Sequence, residues 1–293
     1  DHRDLHSFPT RRSSDLGRPV PELEPLLAAF GAAATADDAR AWRVPELSWT
    51  LLAFAGNGAT LRSGAHKDPV KHLTRALRER QQESGAFVSP GGTFDRYEHV
   101  LGTFAMARMR VESNYKLLDR NVDRAVGALG AAFAADDAPA PTPDETALLA
   151  MLAVTLEHDL VAELRPDVVE LVRRGAAAIE PHVSRRSDAI RHLAAVALGD
   201  VAAPDLTVAR CWPGDLAADA LHTWLAAFAV RGLPERVRRA QGEHARGLLG
   251  GREADGRWAK DGDLDAQVRS AMFAAVLGML QAEVEVVEHG AGK

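Results

Sequence analysis

One turn pattern, found in two distant parts of the chain, most constrains the fold. In each copy an amphipathic helical segment ends, a turn of the form x-x-Gly-x-aromatic follows, and an apolar helical segment begins about ten residues later. The turns contain Gly85-Ala86-Phe87 and Gly256-Arg257-Trp258, which lie 171 residues apart, or three units of 57. Glycine allows the positive φ of such a turn. The repeat predicts stacked helix pairs, in which the aromatic side chain fills the junction between pairs and the next helix packs inward.

Helical periodicity runs through nearly every long segment, and no segment keeps the alternation of a strand. Loops rich in Gly, Asp and Pro separate the helical segments, and five prolines fall at or just before a first helical turn. These prolines are Pro45, Pro69, Pro143, Pro166 and Pro234. The pattern predicts helices at residues 21–34, 46–56, 67–83, 95–110, 115–134, 143–157, 163–179, 187–198, 215–231, 234–250 and 264–285.

The first sixteen residues, DHRDLHSFPTRRSSDL, differ from the Ala-rich helical sequence that follows. They are the in-frame translation of a widely used short-read sequencing adapter, and they lack the apolar core of a secretion signal. We therefore expect residues 1–16 to be adapter-derived and the natural N-terminus to be missing, which leaves the compartment open. We expect residues 17–285 to form a single domain that includes the loop DAPAPTP, and residues 286–293 to be a disordered tail.

Composition excludes several classes of function. The formal net charge is −6, and no basic run with interleaved aromatic residues occurs, so we expect no nucleic-acid partner. Cys211 is the single cysteine, which excludes an internal disulfide and a multi-cysteine metal site. No stretch approaches 18 consecutive apolar residues, so we expect no membrane span. Arg outnumbers Lys by 30 to 5, as is typical of a GC-rich bacterial genome.

The stretch Gln81-x-x-x-Gly85-x-Phe87 is similar to the Q-x-x-x-G-x-W repeat of the squalene-cyclase and protein-prenyltransferase β-subunit superfamily. The second copy has Arg252 at the Gln position. Residues 45–280 resemble the bacterial prenyltransferase/squalene oxidase repeat proteins. The resemblance implies an all-α fold, an α/α toroid of about five to six helix pairs, in which inner and outer helices alternate around a central cavity.

The catalytic groups of those families are not found in the sequence. The chain contains no D-x-D-D acid motif, and the sequence DGDLD, at residues 261–265, fits a solvated loop before a helix. Cys211 has no matching Asp and His partners for a prenyltransferase-type zinc ion. Pro69 is expected to break the helix between His66 and His72, so these histidines would not share a face. We therefore predict no catalytic residues, no metal and no cofactor.

The inner helices of a toroid present side chains to its cavity, and six residues are candidates for lining it. They are Trp49, Tyr97, His99, Asp219, Trp224 and Arg269. For His99 a hydrogen-bonded position in the core is the competing interpretation, and for the tryptophans it is core packing. The helix at residues 215–224 carries Ala and Asp where cyclases carry aromatic residues, so a cavity with few aromatic side chains is expected; such a cavity stabilises carbocations poorly.

Three functions remain open. The first is a non-catalytic toroid that binds an apolar small molecule or a protein partner. The second is an enzyme of the terpenoid-cyclase or prenyltransferase type, for which Asp215 and Asp219 are the only nominated carboxylates. The third is a repeat scaffold within a larger bacterial protein, whose concave surface recruits a partner.

Overall fold

The structure is a computed structural model that describes residues 21–35, 37–134, 138–157, 165–181, 185–199 and 271. These residues contain no β-strand, only an isolated bridge between Gln81 and Phe87. They form eight α-helices: α1 (Glu24–Thr35), α2 (Val44–Gly56), α3 (Lys67–Glu79), α4 (Arg96–Ser113), α5 (Asp119–Ala134), α6 (Pro143–Leu156), α7 (Arg165–Ala178) and α8 (Arg185–Leu198).

The eight helices agree with the first eight that periodicity predicts, and their ends differ by at most four residues. The predicted helices at 215–231 and 234–250 lie outside the described residues. Of the predicted helix at 264–285 only Ala271 is described, and it is helical and buried.

The helices form two layers that alternate along the chain. The even-numbered helices pack in succession, α2 on α4, α4 on α6 and α6 on α8. The odd-numbered helices lie outside them: α1 packs on α3, and α5 packs on α7. The outer helices also contact the inner layer. Helix α3 contacts α2 and α4, α5 contacts chiefly α4, and α7 contacts α6 and α8. This alternation is that of an all-α toroid, and it confirms the predicted fold class.

Sequence explains which helices are inner and which are outer. The inner helix α6 reads TALLAMLAVTL after its first turn, and nearly all of its residues are buried. A helix that is apolar all round must be covered on every side. The outer helix α3 buries Val70, Leu73, Ala76 and Leu77 along one stripe and carries Lys, Arg and Glu on its other face. Such a stripe suits a helix with one face toward solvent.

Local signals fix the helix ends. Asp95 caps α4 by accepting a hydrogen bond from the Glu98 N–H at 2.8 Å, and α4 ends at Asn114, whose φ of 44° is left-handed. Pro69 lies in the first turn of α3 and does not break it, contrary to our expectation, because a proline there displaces no helical hydrogen bond. His66 immediately precedes α3, and His72 lies within it.

None of the helices in the described part of the chain combines the length and the hydropathy needed to span a membrane.

Candidate functional site

The turn between α3 and α4 holds the first copy of the repeated motif. Gly85 has a φ of 94°, and a Cβ at this position would overlap the carbonyl oxygen of Arg124 on α5. Gln81 donates to the Asn121 carbonyl at 2.8 Å and accepts from the Asn121 side-chain amide at 2.7 Å. The glutamine and glycine of the motif therefore attach the turn to the next outer helix.

Phe87 fills the junction between this turn and α4, as predicted for the aromatic residue of the motif. Its side chain is fully buried. A Cβ added to Gly102 would lie 2.9 Å from two carbons of the Phe87 side chain. Gly102 thus lets the ring lie directly against the backbone of α4.

His99 lies one turn before Gly102 and supports the same junction. Its Nδ1 accepts a hydrogen bond from the Phe87 N–H at 3.2 Å, so the neutral ring carries its proton on Nε2. Burial lowers the pKa of His99 to about 4, although the Ala125 carbonyl acts in the opposite direction. Nε2 has no hydrogen bond of good geometry within the described structure. This histidine is neutral at physiological pH.

These contacts define the two faces of α4. His99, Gly102 and Ser113 contact the turns and loops of the outer layer, the last by accepting from the Leu61 N–H at 3.0 Å. Successive helical residues are rotated by about 100°. The opposite face of α4, toward the centre of the toroid, therefore carries Tyr97 and Phe104.

Arg108 lies on the same face, eleven residues or about three helical turns after Tyr97. Along α4 the partly exposed residues are Arg96, Tyr97, Arg108 and Val111, and the last three share the inner face. The inner face is thus the least completely covered side of this helix.

Contacts with the outer layer also show which faces of α2 and α6 point toward the centre of the toroid. On α2, the Phe54 ring lies 5.2 Å from the ring of His66 at the start of α3, so Phe54 points to the outer layer. Trp49 lies on the opposite side of α2 and is 1% exposed. On α6, Gly175 of α7 contacts Thr146, which places Leu148 on the inner face.

The inner faces of α2, α4 and α6 together form what we call the inner surface, defined by Trp49, Leu52, Tyr97, Leu101, Phe104, Arg108, Leu148, Met151 and Thr155. It is aliphatic and aromatic except at its end near the C-terminus of α4. There Arg108 forms an ion pair with Glu112, and their side chains are 11% and 6% exposed. The helix at residues 215–224, on which the expectation of a cavity with few aromatic side chains was based, lies outside the described residues.

Two ion pairs join the starts of the inner helices. Arg43, just before α2, donates to Glu98 of α4 at 2.6 Å. Arg96 of α4 donates to both carboxylate oxygens of Glu145 of α6, each at 3.1 Å. These pairs lie between helices and fix their relative position.

The structure brings together only some of the residues that the sequence nominates. Trp49 and Tyr97 lie on the inner surface, whereas the ring of His99 lies on the opposite face of α4. Asp215, Asp219, Trp224 and Arg269 lie outside the described residues. Sequence reasoning missed Phe104 and Arg108; their spacing of seven and eleven residues from Tyr97 is the signal that could have found them.

Among the described residues, no group of three or more His, Cys, Asp or Glu side chains is arranged to hold a metal ion. His66 instead contacts Glu24 of α1, with Nε2 3.1 Å from Oε1. This contact ties α3 to α1 within the outer layer.

Comparison with known proteins supports the fold without fixing a family. No family model matches the chain. No curated protein matches it either. Among solved structures, the chain is similar to the type II terpene cyclase MstE from Scytonema, in its apo form. The TM-score is 0.54 and the sequence identity 13%, over 95% of this chain and 99% of the cyclase chain. The two proteins share a fold.

Proposed function

We propose that this protein binds an apolar small molecule against the inner surface. The observation that carries the proposal is the grouping of Trp49, Tyr97 and Phe104 on inner faces, with Tyr97 partly exposed. Small-molecule sites are mostly apolar and aromatic, with few polar groups. A toroid places such faces around one centre, so a single ligand would contact several helices.

Farnesol, an isoprenoid alcohol, is a suitable probe of this proposal. We expect the full chain to bind farnesol, delivered from cyclodextrin, in isothermal titration calorimetry. Tyr97→Ala removes aromatic contact area from the inner surface and should weaken binding about tenfold. Tyr115→Ala is the matched control, because Tyr115 follows α4 and its ring faces Arg62.

Absence of binding to the wild-type chain would contradict the proposal. Equal loss of affinity in Tyr97→Ala and Tyr115→Ala would also contradict it, because a general loss of stability would then explain both effects.

A second candidate function is cyclisation of a polyprene, which the likeness to MstE favours at the level of the fold. The aromatic side chains of the inner surface support it, because aromatic rings stabilise cations. The sequence lacks D-x-D-D, so a different acid would have to start the reaction. Incubation with squalene, followed by gas chromatography for isomers of unchanged mass, tests this candidate. Loss of product in Asp219→Ala would identify the acid, and absence of product in the wild-type chain would reject cyclisation of squalene.

A further inference from the structure

The ion pair between Arg108 and Glu112 is the one charged feature on the described part of the inner surface. Both side chains belong to α4, and both are about nine-tenths buried. Phe104, one turn before Arg108, is fully buried, and Val111, which lies between Arg108 and Glu112 in the sequence, is apolar. The pair thus lies at one end of an otherwise apolar face.

Stability alone explains this pair poorly. Burying two charges costs several kcal/mol, which their attraction seldom exceeds. Glu112 also lies in the last turn of α4, where the negative end of the helix dipole disfavours a carboxylate. Moreover, an Arg that precedes a Glu by four residues is the weaker orientation of such a pair. The same spacing occurs at the surface in Arg75 and Glu79 of α3, where both side chains are largely exposed and the cost of burial is small.

We propose that Arg108 and Glu112 bind the hydroxyl group of an otherwise apolar, elongated ligand. This inference rests on the proposed function. The pair is neutral overall and offers N–H donors beside a carboxylate acceptor. A hydroxyl group satisfies both, because it accepts from Arg108 while it donates to Glu112.

The same chemistry disfavours two related ligand classes. A hydrocarbon would cover the ion pair without replacing its lost hydrogen bonds to water. A carboxylate would place a second negative charge beside Glu112 and would be repelled. Tyr97 and Arg108 are roughly 16 Å apart along α4, at 1.5 Å per residue, so a ligand that contacts both is elongated.

The test compares three ligands that share one chain: farnesol, its deoxy hydrocarbon and farnesoic acid. We expect the wild-type chain to bind farnesol about tenfold more tightly than either of the others, as is typical of hydrogen bonds to charged groups. The double variant Arg108→Met, Glu112→Gln should lose this preference. The matched control Arg75→Met, Glu79→Gln, which neutralises the exposed pair of equal spacing, should keep it.

A second variant keeps the test decisive if the double variant fails to fold. Glu112→Gln retains Arg108 and removes only the negative charge, so farnesoic acid should gain affinity relative to farnesol. A preference for farnesol that persists in the double variant, or equal binding of all three ligands to the wild type, would overturn the inference while leaving the proposed function intact. Failure of all three ligands to bind would overturn both.

Discussion

His99 shows how a buried polar side chain supports the motif turn. Its Nδ1 accepts from the Phe87 N–H, and the rings of Phe87 and Phe94 lie 5.9 Å and 5.6 Å away. A protonated ring would carry a charge into this apolar site and lose the acceptor that the Phe87 N–H requires. The neutral form of His99 therefore holds the turn against α4.

The stability of the protein should depend on pH through His99. Its folded pKa is about 4, below the ordinary value of 6.5, so the unfolded chain binds the proton more tightly. The contribution of neutral His99 to the free energy of unfolding is complete above pH 6.5. It decreases as the pH falls to about 4, and the total loss is on the order of 3 kcal/mol. Urea unfolding between pH 4.5 and 7.5 measures it. His99→Gln, which keeps an acceptor and does not titrate, should show a shallower dependence on pH, and identical slopes would contradict this account.

Gly102 should be intolerant of a side chain, because a Cβ there would lie 2.9 Å from Phe87. We expect Gly102→Ala to lower the free energy of unfolding by about 1–3 kcal/mol through overpacking. Gly127 on α5 is the control, since among the described residues nothing outside the local backbone of α5 lies within 4 Å of a Cβ added there. Gly127→Ala should raise stability by up to about 1 kcal/mol, because alanine favours a helix. Chemical denaturation of both variants compares the signs, and equal effects would contradict the packing we describe.

Polar contacts set the relative position of the inner helices. Glu98 accepts from Arg43 and from the Ser89 hydroxyl, both at 2.6 Å, and Ser89 in turn accepts from the Val44 N–H at 3.0 Å. This chain of hydrogen bonds joins the start of α2, the loop before α4 and the first turn of α4. Apolar packing holds the helices together, while these directional contacts specify their register.

Removal of the Glu98 carboxylate should therefore destabilise the inner layer. We expect Glu98→Ala to lower the free energy of unfolding by about 2–3 kcal/mol, because it leaves Ser89 without its acceptor. Glu79→Ala, which breaks the exposed pair with Arg75, should change stability by less than about 1 kcal/mol. Guanidinium unfolding of the two variants gives the comparison. Costs of equal size would mean that the Glu98 contacts add nothing beyond a surface pair.

Periodicity predicted the helices well because the outer helices each bury one apolar stripe and the inner helices α2 and α6 are apolar along most of their length. It could not predict the rotation of an inner helix about its axis, since a helix buried on all sides has no distinct face in its sequence. Tyr97 and His99 were both nominated for the cavity, although residues two apart lie on nearly opposite faces. The contacts of Gly102 and His99 with Phe87 show which face of α4 points to the outer layer.

Arg108 could not be recognised from sequence for a related reason. An arginine followed four residues later by a glutamate is typical of an exposed helix face, as Arg75 and Glu79 show. Only the depth of α4 within the inner layer reveals that Arg108 and Glu112 are buried. Burial depends on packing between distant parts of the chain.

At the scale of the whole molecule, the alternation of inner and outer helices connects the repeated turn to the proposed site. The motif attaches its turn to the next outer helix through Gln81 and Gly85, and it packs the aromatic residue against the following inner helix. This arrangement turns the opposite face of that inner helix toward the centre.

Photoaffinity labelling tests the central claim, that the inner surface binds an apolar ligand, most directly. The full chain would be irradiated with a diazirine analogue of farnesol, and the labelled peptides would be mapped by mass spectrometry. We predict labelling of inner-surface residues, Tyr97 and Leu148 among them, that excess farnesol suppresses. Labelling confined to the outer helices α1, α3, α5 and α7, or labelling that farnesol does not suppress, would contradict the account.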